Sequence, residues 1–305
     1  MELSDSLRQA LWGLVASLAD NKFALGRRVS EWTTGAPTLE SAVACAALAQ
    51  EELGHARVLY PVLQELAPPD PGQAPGAAWP RGEERPHAEP AFEGVSAPPP
   101  AGSPGALRAG DGPSAPRSGD GELGGPCRVA FLDTPLPSWA HVVAALVLVD
   151  GALTTLMEAL RESRFAPLAR RVGRILEEER FHEQYAAGQL LEVASYPPGL
   201  EGLRRPVEQL LPEMLCWFGP GGDDGLDGLC REGLVAAGSD ALRQAYLARV
   251  APRLLQAGLE PAGLHLDPAG RWKHGDLPWQ RWSADRRRLR GLSALSDPTR
   301  ATAGP

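Results

Sequence analysis

At 305 residues with 43% hydrophobic side chains, the chain can bury a large core, yet 34 glycines and 30 prolines require that part of it lies outside regular structure. A formal net charge of -8 and a pI near 5.4 exclude a nucleic-acid binder, whose phosphate contacts need clustered Lys and Arg. Cys45, Cys127, Cys216 and Cys230 lack C-x-x-C spacing, which excludes a zinc knuckle or a disulfide framework and fits a reducing cytoplasm.

The opening Met1-Glu2-Leu3-Ser4-Asp5 is acidic where a secretory signal is basic, and no uncharged apolar run reaches bilayer-spanning length. A soluble, unexported protein with no membrane contact is therefore expected. A first helix is predicted from Ser4 or Asp5, either of which can cap it, to about Trp32, with Leu7, Leu11, Leu14, Leu18 and Leu25 as its buried stripe. After the breaker run Thr34-Gly35-Ala36-Pro37-Thr38 a second helix runs from about Leu39 to Leu66. Its stripe is Cys45, Leu48, Glu52, His55 and Leu59, with Val62 or Leu63 beyond. Periodicity thus assigns an acid and a histidine to the core.

Residues 67–127 read as a Pro- and Gly-rich insertion whose composition cannot bury enough apolar surface to offset chain entropy. The second hairpin occupies 128–196. Ser138 is positioned to cap a helix from about Trp139 to Arg161, apolar on all sides over Val142 to Val149, which is the mark of a central bundle helix. Asp150 ends that run. The partner helix starts at Pro167 and carries Leu168, Val172, Ile175, Glu179, His182, Ala186 and Leu190 as its inward stripe. Accessory helices are expected over 197–260, near 200–218, 225–237 and 240–258. An irregular tail with three tryptophans fills 261–305, either packed back on the surface or free for a partner.

The chemistry lies in Glu52-Leu53-Gly54-His55 and its echo Glu179-Arg180-Phe181-His182. A Glu and a His three residues apart on a helix share one face and can reach one metal ion from the same side. Heights along the hairpins agree. The midpoint of Asp20 and Glu52 falls at Ala36 and that of Asp150 and Glu179 at Arg164 or Phe165, both within turn chemistry. An all-α, ferritin-like four-helix bundle of two helical hairpins with extra C-terminal helices follows as the fold. The candidate metal ligands are Glu52, His55, Asp150, Glu179, His182 and, from the first helix, Asp20.

A second account stays open at this point, because a buried carboxylate needs a partner that is either a metal or a buried cation. Asp20 is level with the other ligands but lies off the leucine stripe, whereas Asn21 and Lys22 are nearer to it. A Lys22 ammonium at the centre would pair with Glu52 and occupy the space of a metal. Glu51, Glu178, Glu158 and Glu183 fall off the inward faces and read as solvated.

The runs Leu18–Asn21, Leu25–Trp32, Ala46–Arg57, Leu148–Asp150 and Ile175–His182 resemble the phenylacetic acid catabolic protein family, across the four bundle helices and more weakly to about residue 260. Oxygen and imidazole donors on a helical bundle suit iron or manganese, and the resemblance implies a subunit of a phenylacetyl-CoA epoxidase-like oxygenase with a di-iron centre that activates O2 on an aromatic or acyl-CoA thioester. The partners implied are other oxygenase subunits and a reductase, within a homo- or hetero-oligomer. The same resemblance admits a non-catalytic structural subunit with a degraded metal site, and Leu18-Ala19-Asp20-Asn21 with Ser30-Glu31-Trp32 resembles that kind. A ferritin-like protein handling iron or peroxide for its own sake is a third reading.

Overall fold

The computed structural model describes residues 3–66, 127–222 and 225–290. They fall within one compact unit formed by Met1–Gln73 and Pro126–Pro305, and the expected insertion lies outside the described residues except for its last member, Cys127.

The first hairpin joins α1 (Asp5–Ser30) to α2 (Leu39–Leu66). Ser4 caps α1, its Oγ accepting from the Leu7 amide at 3.4 Å. Leu11, Leu14, Leu18 and Leu25 of the expected stripe are buried, as are Cys45, Leu48, Glu52, His55 and Leu59 across from them. Gly26 sets how closely the two helices pack. A Cβ there would stand 3.0 Å from the Glu52 Cβ and 3.0 Å from Leu53 Cγ, so glycine brings α1 against α2 at the height of Glu52.

The second hairpin begins with a helix that is not regular. α3 (Trp139–Ala145) passes through a π-helical turn (Leu146–Asp150) into α4 (Gly151–Leu160). Ser138 precedes α3 as expected but does not cap its backbone; its hydroxyl bonds His141 Nδ1 at 2.7 Å. The π turn inserts one residue, so the inward face before it and the inward face after it differ in phase. Tyr246 Oη donates to the Leu148 carbonyl inside that turn at 3.1 Å. Trp139–Leu160 is long and apolar enough by length and composition to cross a membrane, but 89% of its apolar window is buried as the centre of the bundle.

α5 (Ala166–Ala194) completes the bundle, and its predicted stripe from Leu168 to Leu190 is buried throughout. α5 packs against α2 and α4. Pro197 and Pro198 both close α5 and open α6 (Pro197–Trp217), the position in which a missing N–H costs least. The expected helix over 225–237 is only α7 (Leu226–Arg231), and α8 (Ser239–Gln256) then packs on α4 and α5.

The described part of the tail packs back on the bundle. It forms two short antiparallel ladders, β1 (His265–Leu266) with β2 (Trp272–Lys273) and β3 (Trp282–Ser283) with β4 (Arg288–Leu289). The Gln244 side chain brackets the Trp272 backbone, donating to its carbonyl at 2.9 Å and accepting from its amide at 3.0 Å. Arg287 donates to the Trp217 carbonyl at 2.7 Å.

Candidate metal centre

Four of the six candidate ligands converge. Single ligand atoms of Glu52, Asp150, Glu179 and His182 all lie within 4.8 Å of one another, and all four residues are buried. His55 adjoins them, its Nδ1 3.0 Å from Glu179 Oε1 and its ring centroid 5.7 Å from that of His182. The π turn delivers Asp150 from one hairpin, while helical spacing delivers each Glu–His pair from α2 and α5.

Asp20 is not brought into this group. Its carboxylate accepts from the Cys127 amide at 2.9 Å and from Tyr60 Oη at 3.0 Å, and burial raises its pKa. Asn21 works beside it, accepting from the Val129 amide at 2.9 Å. The Asp20-Asn21 pair therefore pins the chain where it returns to the bundle at Cys127–Val129.

The α1 residue at the centre is Lys22, fully buried, with Nζ 3.0 Å from Glu52 Oε1, 2.6 Å from Asp150 Oδ1 and 2.6 Å from Glu179 Oε1. Burial alone would favour the neutral amine. The charges of Asp150, Glu179 and Glu52 outweigh it and hold the ammonium well above the ordinary lysine pKa. Burial also pushes the Asp150 carboxyl up, but Lys22 and His182 hold it well below its usual range. Glu52 goes the other way, raised by burial and by the negative charge of Asp150.

Each histidine is held from outside by the acid that precedes the opposite motif. His182 Nε2 lies 2.6 Å from Glu51 Oε2 and its Nδ1 lies 3.0 Å from Glu52 Oε1. His55 Nε2 lies 2.7 Å from Glu178 Oε2. Burial draws the His182 pKa down, but hydrogen bonds to Asp150 and Glu52 overcome it and bring the imidazole to about 11. His55 is likewise raised, Glu179 prevailing over burial. Glu51 and Glu178 are thus not simply solvated acids: they orient both rings so that Nδ1 faces the centre. Carboxylates play this part behind metal-binding histidines.

Thr154 adds a further contact, its Oγ1 donating to Glu179 Oε2 at 2.7 Å. Sequence reasoning missed Thr154 because a threonine on an all-apolar helix carries no pattern. Glu51 and Glu178 did leave a signal, since both motifs read Glu-Glu-x-x-His, one acid longer than Glu-x-x-His.

The residues fit a metal. Glu52 Oε2 and His55 Nδ1 are buried with no hydrogen-bond partner, the 3.0 Å approach of His55 Nδ1 to Glu179 being out of line for a hydrogen bond. Three carboxylates with two imidazoles are the oxygen and nitrogen donors that iron or manganese prefers. Lys22 Nζ stands among the same oxygens, so an ion takes this place only as the ammonium leaves it.

The sequence matches the family described as phenylacetic acid catabolic protein over residues 2–74 and 127–294. The chain belongs to this family. Over 164 residues it is 26% identical to a 1,2-phenylacetyl-CoA epoxidase subunit from Escherichia coli strain K12, covering 50% of this chain and 52% of that one. The chain thus spans about half the length of this relative. The family match takes in both hairpins, every candidate ligand and most of the tail, and skips the stretch between 74 and 127.

Proposed function

We propose that this member of the phenylacetic acid catabolic protein family is the oxygen-activating subunit of an epoxidase-type oxygenase acting on an aromatic or acyl-CoA thioester, in the cytoplasm. The observation that carries the reading is the donor set: Glu52, Asp150, Glu179 and His182 meet in one buried cluster with His55 beside it, and Glu51 and Glu178 hold the two rings from outside. Glu52, Asp150 and Glu179 would supply the oxygens and His55 and His182 one imidazole each, while Asp20 is engaged elsewhere. A bound di-iron centre, or manganese in its place, would supply the activation of O2.

The chain's own residues do the rest. The apolar helices around the cluster exclude water, and Thr154 fixes one oxygen of Glu179. Lys22 pairs with all three acids of the metal-free cluster. Other oxygenase subunits and an electron-donating reductase complete the proposed assembly. The test is turnover by the iron-loaded chain with phenylacetyl-CoA, a reductase and O2, in the presence of its partner subunits. A product heavier by one oxygen atom, lost in a Glu52→Ala variant, supports the reading; equal turnover in wild type and variant contradicts it.

The three short bonds of Lys22 favour a second reading, a structural subunit in which the ammonium permanently replaces the metal. Such a chain would hold no iron in any medium and would serve to position a catalytic partner.

A further inference from the structure

The turn that delivers Asp150 is the least regular piece of the bundle. Leu146–Asp150 is π-helical between α3 and α4, and a π turn holds one residue more than the α-helical turn it replaces. If it relaxed to α-helix, the face beyond it would rotate by about 100° relative to the face before it. Two contacts of the cluster sit at or beyond the end of the turn: Asp150 Oδ1 accepts from Lys22 Nζ at 2.6 Å, and Thr154 Oγ1 donates to Glu179 at 2.7 Å. Asp150 and Thr154 are four residues apart and share one face, so both depend on the register that the turn sets.

A hold on this turn comes from α8. Tyr246 Oη donates to the Leu148 carbonyl at 3.1 Å, two residues before Asp150. Tyr246 is fully buried, and burial pushes its phenol well above the ordinary tyrosine pKa, so it stays an O–H donor. Phe218 packs on its ring with centroids 5.6 Å apart, and Phe218 in turn meets Trp217 edge-on at 5.4 Å. Gly151 lets α8 lie against the backbone next to Asp150: a Cβ there would stand 3.3 Å from Val250 Cγ1 and 3.9 Å from the Tyr246 ring. The phenol is therefore fixed by its own neighbours, and the carbonyl it meets belongs to the turn that aims a cluster acid. A tyrosine that only filled space would leave Asp150 indifferent to its hydroxyl, and that difference can be measured.

We propose that Tyr246 is a positioning residue of the centre, its hydroxyl holding the π turn in the register that aims Asp150 and Thr154 into the cluster. Its role as support for a metal ligand rests on the oxygenase reading above; its hold on the turn does not.

Tyr246→Phe keeps the ring and removes the oxygen alone. Urea unfolding of metal-free Y246F, D150N and the double variant forms a cycle that reads whether the hydroxyl acts through Asp150. The double variant is expected to lose less stability than the two single variants together, because the register matters less once the Asp150 carboxylate is gone. Y60F is the control: the Tyr60 hydroxyl bonds Asp20 at 3.0 Å, outside the cluster, and its cycle with D150N should be additive. In iron-loaded protein, competition with a chelator should find Y246F at least about tenfold weaker in iron affinity than wild type, with Y60F unchanged and helicity retained in all. Additive losses for Y246F and D150N overturn the proposal, as does an iron affinity in Y246F equal to that of wild type. Wild-type protein that binds no iron would count against the oxygenase reading alone, since the unfolding cycle reads the turn without metal.

Discussion

Lys22 Nζ stands 2.6 Å from Asp150 Oδ1, a contact joining the first hairpin to the second at the height where the two Glu–His pairs meet. The same ammonium touches Glu52 and Glu179, so one lysine bonds all three acids of the cluster. Removing it leaves buried carboxylates uncompensated, which costs about 3–5 kcal/mol. Lys22→Met should therefore lower the stability of chelator-treated protein by about that amount and raise its iron affinity. Urea unfolding with and without ferrous iron checks both arms. A variant as stable as wild type without metal would remove Lys22 from the electrostatics of the core.

Glu51 and Glu178 contact the outer nitrogens of His182 and His55, so on the proposed reading their loss should loosen the metal without unfolding the bundle. Replacing both with Gln should weaken iron binding by about 10–100-fold while helicity stays near wild type. Competition with a chelator of known affinity measures this. An unchanged iron affinity would mean that the 2.6 and 2.7 Å contacts to His182 and His55 do not tune the rings.

The cluster also predicts opposite pH trends for the metal-free and iron-loaded protein. His182 is raised to about 11 from an unfolded value of about 6.5. The folded chain thus holds a proton that the unfolded chain releases. The resulting stability is fully present below about pH 6.5 and is lost as pH rises through about 11; His55 and Lys22 are raised and act in the same sense. Metal-free protein should melt at progressively lower temperature from neutral to alkaline pH. Iron affinity should rise over that range, because a ligating imidazole must first lose its proton. Parallel trends in the two forms would contradict the protonated cluster.

Asp20 separates the fold from the centre. Asp20→Ala strands the Cys127 amide and the Tyr60 hydroxyl, at a cost of about 1–3 kcal/mol, and should leave iron stoichiometry untouched. Thermal unfolding and metal analysis of the same sample check this; lost iron with unchanged stability would return Asp20 to the ligand set.

Most of the bundle was legible in the sequence because α2 and α5 each alternate a strong stripe with polar residues, so Glu52, His55, Glu179 and His182 could be assigned inward by phase alone. The same arithmetic placed Lys22 nearer the stripe than Asp20, and the structure puts the Lys22 ammonium on Glu52. Phase failed on α3 and α4. That helix is apolar on all sides, so nothing in its pattern marks the π turn that sets the direction of Asp150, and a hydroxyl such as that of Thr154 leaves no trace. Glu158 and Glu183 read as solvated because their partners, Arg249 and Arg253, lie on α8, far along the chain, 66 residues away for the Glu183–Arg249 pair. α7 is shorter than its predicted span because it stops at Arg231, two residues before Gly233, whose positive φ of 66° is the stop that the span over 225–237 ran through.

The most direct test of the account is iron content per chain, with Mössbauer spectra, for protein expressed in iron-supplemented medium, alongside a variant carrying His55→Ala and His182→Ala. Wild type should hold about two coupled irons per chain and the variant none, with helicity retained in both. A folded wild-type chain that takes up no iron, with Lys22 still bound to its three acids, would contradict it.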